Sequence, residues 1–258
     1  MYVLLTNDDG VQSPGLLALR QAMDRVADVV VVAPDHNWSA AGHAKTMHKP
    51  LRVNEAAMAD GFKAYASTGA PSDCVALAVL GLLDRRPDLV VSGINHGANL
   101  GYDLTYSGTV TAAMEGVISG IRSIAVSLNA FQSADFSFAA RLAAELAVRL
   151  HAGDLPAETL LNLNVPALPE NEIKGVYLTR LGRRIYRDEV IKRQDPYGRN
   201  YYWIGGQPPD AVLEEGTDVW ALANGYVSLT PVHLDMTDYA MLGRIKDWGT
   251  HVAPPGNG

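Results

Sequence analysis

Near its start the chain reads Tyr2-Val3-Leu4-Leu5-Thr6-Asn7-Asp8-Asp9-Gly10. Five strand-forming residues lead directly into two adjacent carboxylates and a glycine. Open α/β folds bind their ligands at the carboxyl ends of parallel strands, which is where Asp8 and Asp9 would lie. Adjacent carboxylates repel each other, and a bound cation is the simplest way to keep both charged. The stretch therefore predicts a hard-metal site, with an ordinary turn beside a helix cap as the alternative.

Strand and helix signals alternate after this stretch. The apolar runs at residues 29–32 and 89–91 are typical of strands covered on both faces. Pro14 fits the first turn of a helix, and Ser13 before it is a suitable cap. The order predicts an α/β fold, a mostly parallel sheet with helices on both faces. The predicted strands are 2–6, 28–33, 51–54, 62–67, 89–92, 123–128 and 159–164, and the predicted helices are 14–26, 72–83, 108–120 and 135–151.

The composition of the sequence changes near residue 175. Polar, aromatic-rich strand candidates follow at 176–181, 184–192 and 200–204, then a strand at 225–231 and a helix at 238–248. A two-stranded hairpin buries little by itself. We predict a C-terminal β-hairpin arm that rests on another subunit, while a hairpin folded onto its own domain is an equal alternative. Residues 1–174 are then the main domain, 175–248 an oligomerisation segment without independent folding, and 249–258 a flexible tail.

Composition limits the classes of partner. The chain of 258 residues has a net charge of −7, which argues against binding of nucleic acid polymers or anionic membranes. Its longest apolar run, residues 74–83, is too short to span a bilayer. The single cysteine, Cys74, excludes an intrachain disulfide and lies in an apolar helical run, so we expect a buried structural thiol. We expect no leader peptide and a cytoplasmic protein.

Two further loops follow predicted parallel strands and open on the same sheet edge as Asp8 and Asp9. One contains Ser39, and the other contains Asn95 and Asn99 among glycines. Their amide and hydroxyl oxygens suit Mg²⁺ or Mn²⁺ better than Zn²⁺. Taken singly, Ser39 could be a loop serine or helix cap, and the asparagines could serve left-handed backbone. Together they favour a metal site, whereas His43, His48 and His96 are expected to be ordinary loop histidines.

The segment Thr105-Tyr106-Ser107-Gly108-Thr109-Val110-Thr111 precedes a predicted helix. Glycine, hydroxyls and the free N–H groups at a helix start can hold an anion, and ordinary capping by Ser107 or Thr109 is the alternative. The segment is not a P-loop, and no Gly-x-Gly-x-x-Gly follows the first strand. No Lys or Arg lies in these loops, although Lys45 and Lys49 are near in sequence.

Several motifs, in order along nearly the whole chain, resemble the SurE survival-protein family of metal-dependent nucleotidases. They are TNDDG at 6–10, the Ser39 loop, TGAPSDCV at 68–75, SGINHGAN at 92–99, YSGTVTAAMEG at 106–116 and GYVSLTP at 225–231.

The resemblance implies a Rossmann-like catalytic domain and hydrolysis of nucleoside 5′- and 3′-monophosphates, with short polyphosphate as a further substrate. It implies one divalent ion per subunit, Mg²⁺ or Mn²⁺, held by Asp8, Asp9, Ser39 and Asn95. It also implies a phosphate-binding set of Asn99, Ser107, Gly108 and Thr109, and exchange of C-terminal segments in a homodimer or homotetramer.

The residues fit metal-assisted hydrolysis of a phosphomonoester, with Asp8, Asp9 and Asn95 as the catalytic group and either aspartate as acceptor of the water's proton. Two alternatives remain. A haloacid-dehalogenase-like phosphatase would use Asp8 as nucleophile, although that class has two acids separated by one residue. A non-catalytic nucleotide sensor would bind the same ligand without turnover.

Overall fold

The protein is described by a computed structural model covering residues 1–39, 42–130, 135–206, 210–246 and 248. The predicted tail at 249–258 lies outside these residues. Strands and helices make up the fold as far as residue 166. In chain order they are β1 (Tyr2–Thr6), α1 (Pro14–Met23), β2 (Asp28–Pro34), β3 (Val53–Ala57), β4 (Lys63–Ser67), α2 (Pro71–Leu77), β5 (Leu89–His96), α3 (Gly108–Ile118), β6 (Ser123–Asn129), α4 (Ser137–Ala152) and β7 (Leu160–Pro166). They alternate, except that β2, β3 and β4 follow one another without a helix between them.

Shorter elements make up the rest of the described chain. They are β8 (Val176–Leu178), β9 (Arg184–Ile185), β10 (Asp188–Gln194), β11 (Asn200–Gly206), β12 (Asp210–Ala211), α5 (Asp218–Ala223), β13 (Val227–Val232) and α6 (Tyr239–Arg244).

One central sheet holds most of the strands, in the order β3-β4-β2-β1-β5-β6-β7-β13-β8. The pairs from β4 to β7 are parallel, while β3 and β13 join the two ends in antiparallel fashion. Helices α1 and α4 pack together, as do α2 and α3, and the two pairs cover opposite faces. The predicted α/β fold with a mostly parallel sheet is confirmed.

Alternation along β1 builds two separate apolar layers. Val3 and Leu5 are fully buried with α1 and α4, whereas Leu4 between them is fully buried with α2 and α3. Each such side chain contributes about 1.5–3 kcal/mol by burial. Since successive side chains of a strand point to opposite faces, β1 serves both layers.

Several predicted helices have different bounds. α1 ends at Met23 instead of residue 26, and α2 ends at Leu77 instead of residue 83. A wider π-type turn follows α2 and contains Gly81 at a φ of 140°, a conformation that glycine adopts without strain. The predicted helix at 238–248 is shortened to α6. Helix α5 was not predicted, because six residues are too few to show a helical period.

The predicted C-terminal hairpin is present. β10 and β11 pair antiparallel, with Asp188 opposite Gly206 at one end of the hairpin and Gln194 opposite Asn200 at the other. Val190, Trp203 and Ile204 are exposed on this hairpin. The predicted strand at 184–192 is divided into β9 and β10. β8 and β13, from the same part of the sequence, join the central sheet. Exchange of the hairpin between subunits and the division at residue 174 stay predictions.

Two further sequence expectations can be compared with the structure. None of the helices in the described part of the chain combines the length and the apolar composition that a membrane span requires. Cys74 is a free, fully buried thiol on α2 whose pKa is raised by burial. It is therefore a structural residue, as expected.

A buried carboxylate joins the C-terminal segment to the loop after β5. Asp218, at the start of α5, accepts hydrogen bonds from the N–H groups of Gly101 (2.8 Å), Gly182 (2.7 Å) and Val219 (2.8 Å). Burial raises the pKa of Asp218, and the three N–H donors oppose this increase. The segment Gly101–Thr105, which leads towards α3, is thereby fixed against residues that follow β8.

Replacement of Asp218 by alanine should destabilise the protein strongly. Three buried N–H groups would lose their acceptor, and each such loss costs about 1–3 kcal/mol. We expect Asp218→Ala to reduce the free energy of unfolding by about 3 kcal/mol or more in a denaturant titration. Asp188→Ala, on the exposed hairpin, is the matched control and should change it by less than about 0.5 kcal/mol. Equal stability of the two variants would contradict the role of Asp218.

Candidate functional site

Asp8 lies beyond the carboxyl end of β1 and packs against the first turn of α3. Its side chain is so close to Gly108 that a Cβ placed there would lie 2.7 Å from the Cβ of Asp8. The hydroxyl of Thr109 donates to Asp8 Oδ1, and the residue is only 4% exposed. The sequence-predicted residues Asp8, Gly108 and Thr109 are therefore in direct contact.

Asp9 lies in the bend that follows β1, beside residues at the start of α1. It is half-buried and lines a cleft of about 330 Å³ at the start of α1. Burial raises the pKa of Asp8 from its ordinary 3.8 to about 6, with hydrogen bonds from Thr109 opposing the increase. Burial also raises the pKa of Asp9, and the N–H and imidazole of His96 oppose this increase. Both carboxyls thus lack enough positive charge nearby.

Ser39 is connected to the two aspartates through its neighbours. The Trp38 N–H donates to the carbonyl of Asp8 (2.7 Å), and the Asn37 amide donates to Asp9 Oδ1 (3.2 Å). The Asn37 amide oxygen in turn accepts from the Ser39 N–H (2.7 Å). The loop is therefore fixed beside Asp8 and Asp9, and Ser39 is exposed on it.

Asn95 occupies the end of β5, the strand that pairs with β1. The pairing of β5 with β6 shifts between Ser92 and Asn95, next to Gly93. Gly93 has a φ of 134°, and a Cβ there would lie 2.2 Å from the carbonyl oxygen of Val126. The Asn95 amide nitrogen donates to the Gly97 carbonyl (2.8 Å). The amide oxygen of Asn95 can therefore interact with another partner.

The donor set fits a hard divalent cation. Two carboxylates, an amide oxygen and a hydroxyl are oxygen ligands of the kind that Mg²⁺ and Mn²⁺ prefer. Within the described ranges, no three His, Cys, Asp or Glu side chains cluster in a way that would hold a metal. A cation at this place would also oppose the increase in pKa that burial causes at Asp8 and Asp9. The residues present therefore suit magnesium or manganese better than zinc.

Ser107 and Thr109 have structural partners at the start of α3. Ser107 Oγ accepts from the Val110 N–H (3.1 Å), so its hydroxyl caps the helix, as the alternative interpretation proposed. Thr109 donates to Asp8. The first N–H groups of a helix have no partner within it, and they give this end a partial positive charge. The backbone at Gly108 is the part of the predicted phosphate set that suits an anion directly.

Asn99, the remaining member of the predicted phosphate set, has its contacts elsewhere. Every hydrogen bond found for it in the described chain goes to β6 or β7. Its N–H donates to Asn164 Oδ1 (2.8 Å), its amide donates to Ser127 (2.8 Å), and its carbonyl accepts from the amides of Asn162 and Asn164. The structure thus shows Asn99 anchoring the loop after β5, and a phosphate contact remains a prediction.

A buried charge cluster on α3 was not predicted from the sequence. Glu115 is 4% exposed and accepts from Lys45 Nζ (2.9 Å), and its other oxygen lies 3.1 Å from His43 Nε2. The hydrogen bond from His43 is the largest cause that lowers the pKa of Glu115. Lys45 is thus directed to Glu115. A glutamate on an otherwise apolar helix was the available signal, because a buried charge needs a partner.

Comparison with known proteins places this geometry in context. The family model described as "Survival protein SurE" matches residues 3–188. A protein of Chloroflexus aggregans named 5′-nucleotidase SurE is 53% identical over 253 residues, covering 96% of this chain and 99% of the relative. A protein of the same name from Herpetosiphon aurantiacus is 55% identical over 248 residues, covering 95% and 97%. The crystal structure of the SurE protein from Aquifex aeolicus is 45% identical, with a TM-score of 0.82 and coverage of 96% and 100%.

The contact between Gly108 and Asp8 can be tested by adding one methyl group. Alanine is favoured over glycine in a helix by about 1 kcal/mol, but overpacking costs about 1–3 kcal/mol. We expect Gly108→Ala to be destabilised by about 1–2 kcal/mol in thermal unfolding. Gly243→Ala in α6, where the methyl meets open space, is the control and should be neutral or stabilised. A Gly108→Ala variant as stable as that control would refute the contact.

The raised pKa of Asp8 predicts a pH-dependent stability of the protein in chelator. The folded state holds the proton more tightly than the unfolded state, so stability is lost as pH rises from 3.8 through about 6. The loss at about pH 8 amounts to about 3 kcal/mol. Asp8→Asn should therefore be more stable than the wild type at about pH 8, by up to this amount, and the difference should shrink towards about pH 4.

Denaturant titrations across this pH range measure the effect of Asp8→Asn. Exposed Asp154→Asn is the control and should match the wild type throughout. A pH-independent difference for Asp8→Asn would show that burial of the charge is not its cause.

Proposed function

The chain belongs to the SurE survival-protein family, and we infer that it is a phosphoric monoester hydrolase that acts on nucleotides, as its relatives named 5′-nucleotidase do. We propose further that it hydrolyses nucleoside 5′- and 3′-monophosphates with a divalent cation, and that short polyphosphate is a secondary substrate. The observation that carries the proposal is the buried Asp8 carboxylate packed on the first turn of α3.

We propose that Asp8, Asp9, Ser39 and Asn95 hold one Mg²⁺ or Mn²⁺. Such an ion, when bound, supplies Lewis acidity to the phosphoryl group and neutralises charge on its oxygens. The chain's own contribution is to fix the ligands. Thr109 orients Asp8, Asn37 connects Asp9 to the Ser39 loop, and Gly97 orients the Asn95 amide.

Substrate phosphate would bind at the start of α3. The N–H groups there and the helix dipole favour an anion next to Asp8 only when the carboxylate charge is offset. Gly108 carries no side chain, so its backbone lies directly beside the Asp8 carboxylate. Ser107 would act by holding the first turn in shape through its cap to Val110.

We propose that one of the two aspartates accepts the proton of the attacking water, and Asp9 is the more accessible of them. It is half-buried and lines the cleft, whereas Asp8 is closed off by Gly108 and Thr109. The same enclosure of Asp8 argues against its use as a covalent nucleophile, since a nucleophile needs access to the phosphorus.

We also propose that residues 1–174 carry this chemistry and that the β10–β11 hairpin contributes to a homodimer or homotetramer. The exposed Val190 and Ile204, which lie opposite each other on the hairpin, support an association role, because neighbouring exposed apolar side chains mark contact surfaces.

Phosphate release from AMP tests the proposed function. The wild type should release phosphate with Mn²⁺ or Mg²⁺ and stop when chelator is added. Asp8→Asn and Asn95→Ala should lose at least about 100-fold in kcat/KM, because even residues that only orient metal ligands cost about 10–100-fold. Calorimetry should show Mn²⁺ binding to the wild type and its loss in both variants.

The exposed Asp154→Asn is the control for this assay and should retain full activity. Full activity of both site variants would refute the site, and absence of turnover with intact nucleotide binding would favour a sensor. A trapped phospho-aspartate at Asp8 would favour the nucleophile mechanism instead.

A further inference from the structure

The cleft beside Asp9 is distinct from the proposed phosphate site in its position. Asn7 and Asp9 share the face of the sheet that carries α1 and α4, and the Asn7 amide donates to Ser13 at the start of α1 (2.7 Å). Asp8 lies on the opposite face, against α3. A ligand whose phosphate rests on α3 and passes the Asp8–Asp9 pair would therefore extend into this cleft.

Aromatic side chains form part of the cleft wall. The rings of His96 and Phe136 lie 4.9 Å apart at an interplanar angle of 13°, which is a stacked pair. Phe136 is buried in the core, whereas His96 is exposed. His36 also lines the cleft, with its ring 5.2 Å from that of Trp38. The aromatic cleft, as we name the space lined by His36, His96, Phe136, Gln12, Asp35 and Asp9, offers a flat surface backed by the core.

The charge of the cleft excludes a second phosphate site. Asp9 and Asp35 are acidic, and no Lys or Arg belongs to its lining in the described chain. Gln12 is held by a hydrogen bond from its amide nitrogen to the Ala57 carbonyl (2.8 Å), which leaves the amide oxygen as an acceptor. Acceptors beside an aromatic surface suit the N–H and O–H donors of a nucleoside. A volume of about 330 Å³ lies in the range of small-molecule sites.

We propose that the aromatic cleft binds the nucleobase of the substrate by stacking on the His96–Phe136 pair, an inference that rests on the proposed function. Every base has a π-face, so stacking gives affinity without selecting one base. The cleft thus makes the enzyme tolerant of the base while it still discriminates nucleotides from simpler phosphate esters. His96 and Phe136 are base-binding residues and take no part in the chemistry.

A pair of substrates that differ only in the base isolates this contribution. We would measure kcat/KM for AMP and for ribose 5-phosphate, which has the sugar and phosphate but no base. The ratio of the two should fall about tenfold in His96→Ala, in line with the usual cost of losing one base–aromatic contact. Phe136→Leu should lower it less, and His96→Phe, which keeps a flat ring, should restore it. His151→Ala, an exposed histidine on α4, is the control.

A measurement without chemistry separates this proposal from the proposed function. Saturation-transfer NMR with adenosine and the protein in chelator should show transfer to the adenine protons in the wild type and its loss in His96→Ala. The imidazole of His96 acts on Asp9, so Mn²⁺ affinity is measured by calorimetry in His96→Ala and in His96→Phe, which both lack the imidazole. Only the ratio for the two esters should differ between these variants. An unaltered AMP to ribose 5-phosphate ratio, or adenosine contacts that survive in His96→Ala, would overturn the assignment. Failure of the wild type to hydrolyse either ester would refute the proposed function. The adenosine signal would still show whether the aromatic cleft binds the base.

Discussion

The close contact between Asp8 and the first turn of α3 is the constraint on which the site depends. Gly108 allows the carboxylate within van der Waals distance of the helix backbone, and Thr109 binds one of its oxygens. The contact removes Asp8 from water, so its pKa rises to about 6. A group held in this way is poorly stabilised as an anion until positive charge arrives. Asp8 therefore needs positive charge at this edge of the sheet, which the proposed cation would supply.

The period of two in β1 organises the core, and the end of the same strand leads into the site. Val3 and Leu5 supply one apolar layer and Leu4 the other, and beyond the strand Asp8 contacts α3 while Asp9 lines the cleft at the start of α1. Adjacent residues thereby serve different neighbourhoods, a helix start on one face and an aromatic cleft on the other. A single strand end can then bring the parts of one ligand to two different sets of contacts.

Most of the fold and part of the site could be predicted from the sequence. Apolar runs and helix periods are local, so the alternating strands and helices of the first 166 residues were predictable. Helix α5 was too short for such a signal, and the end of α2 depended on the backbone at Gly81. Residue types indicated the oxygen ligands, but the partners of Ser107 and Asn99 required tertiary structure. The Glu115 cluster and the stacking of His96 on Phe136 join residues 40 to 72 positions apart in the chain, and no local pattern encodes such contacts.

The contacts of Glu115 have a thermodynamic consequence for the loop that carries Ser39. Residues 35–52 separate β2 from β3, and those of them that the structure describes form no strand or helix. A loop of this length would usually be costly to order at each binding event. His43 and Lys45 bind Glu115, Thr46 binds Asp73, and Trp38 binds the carbonyl of Asp8. The entropy of this loop is therefore lost once, when the chain folds, and not again when a ligand arrives. Ser39 is held in a preorganised loop, so more of the intrinsic interaction energy of a bound cation would appear as affinity.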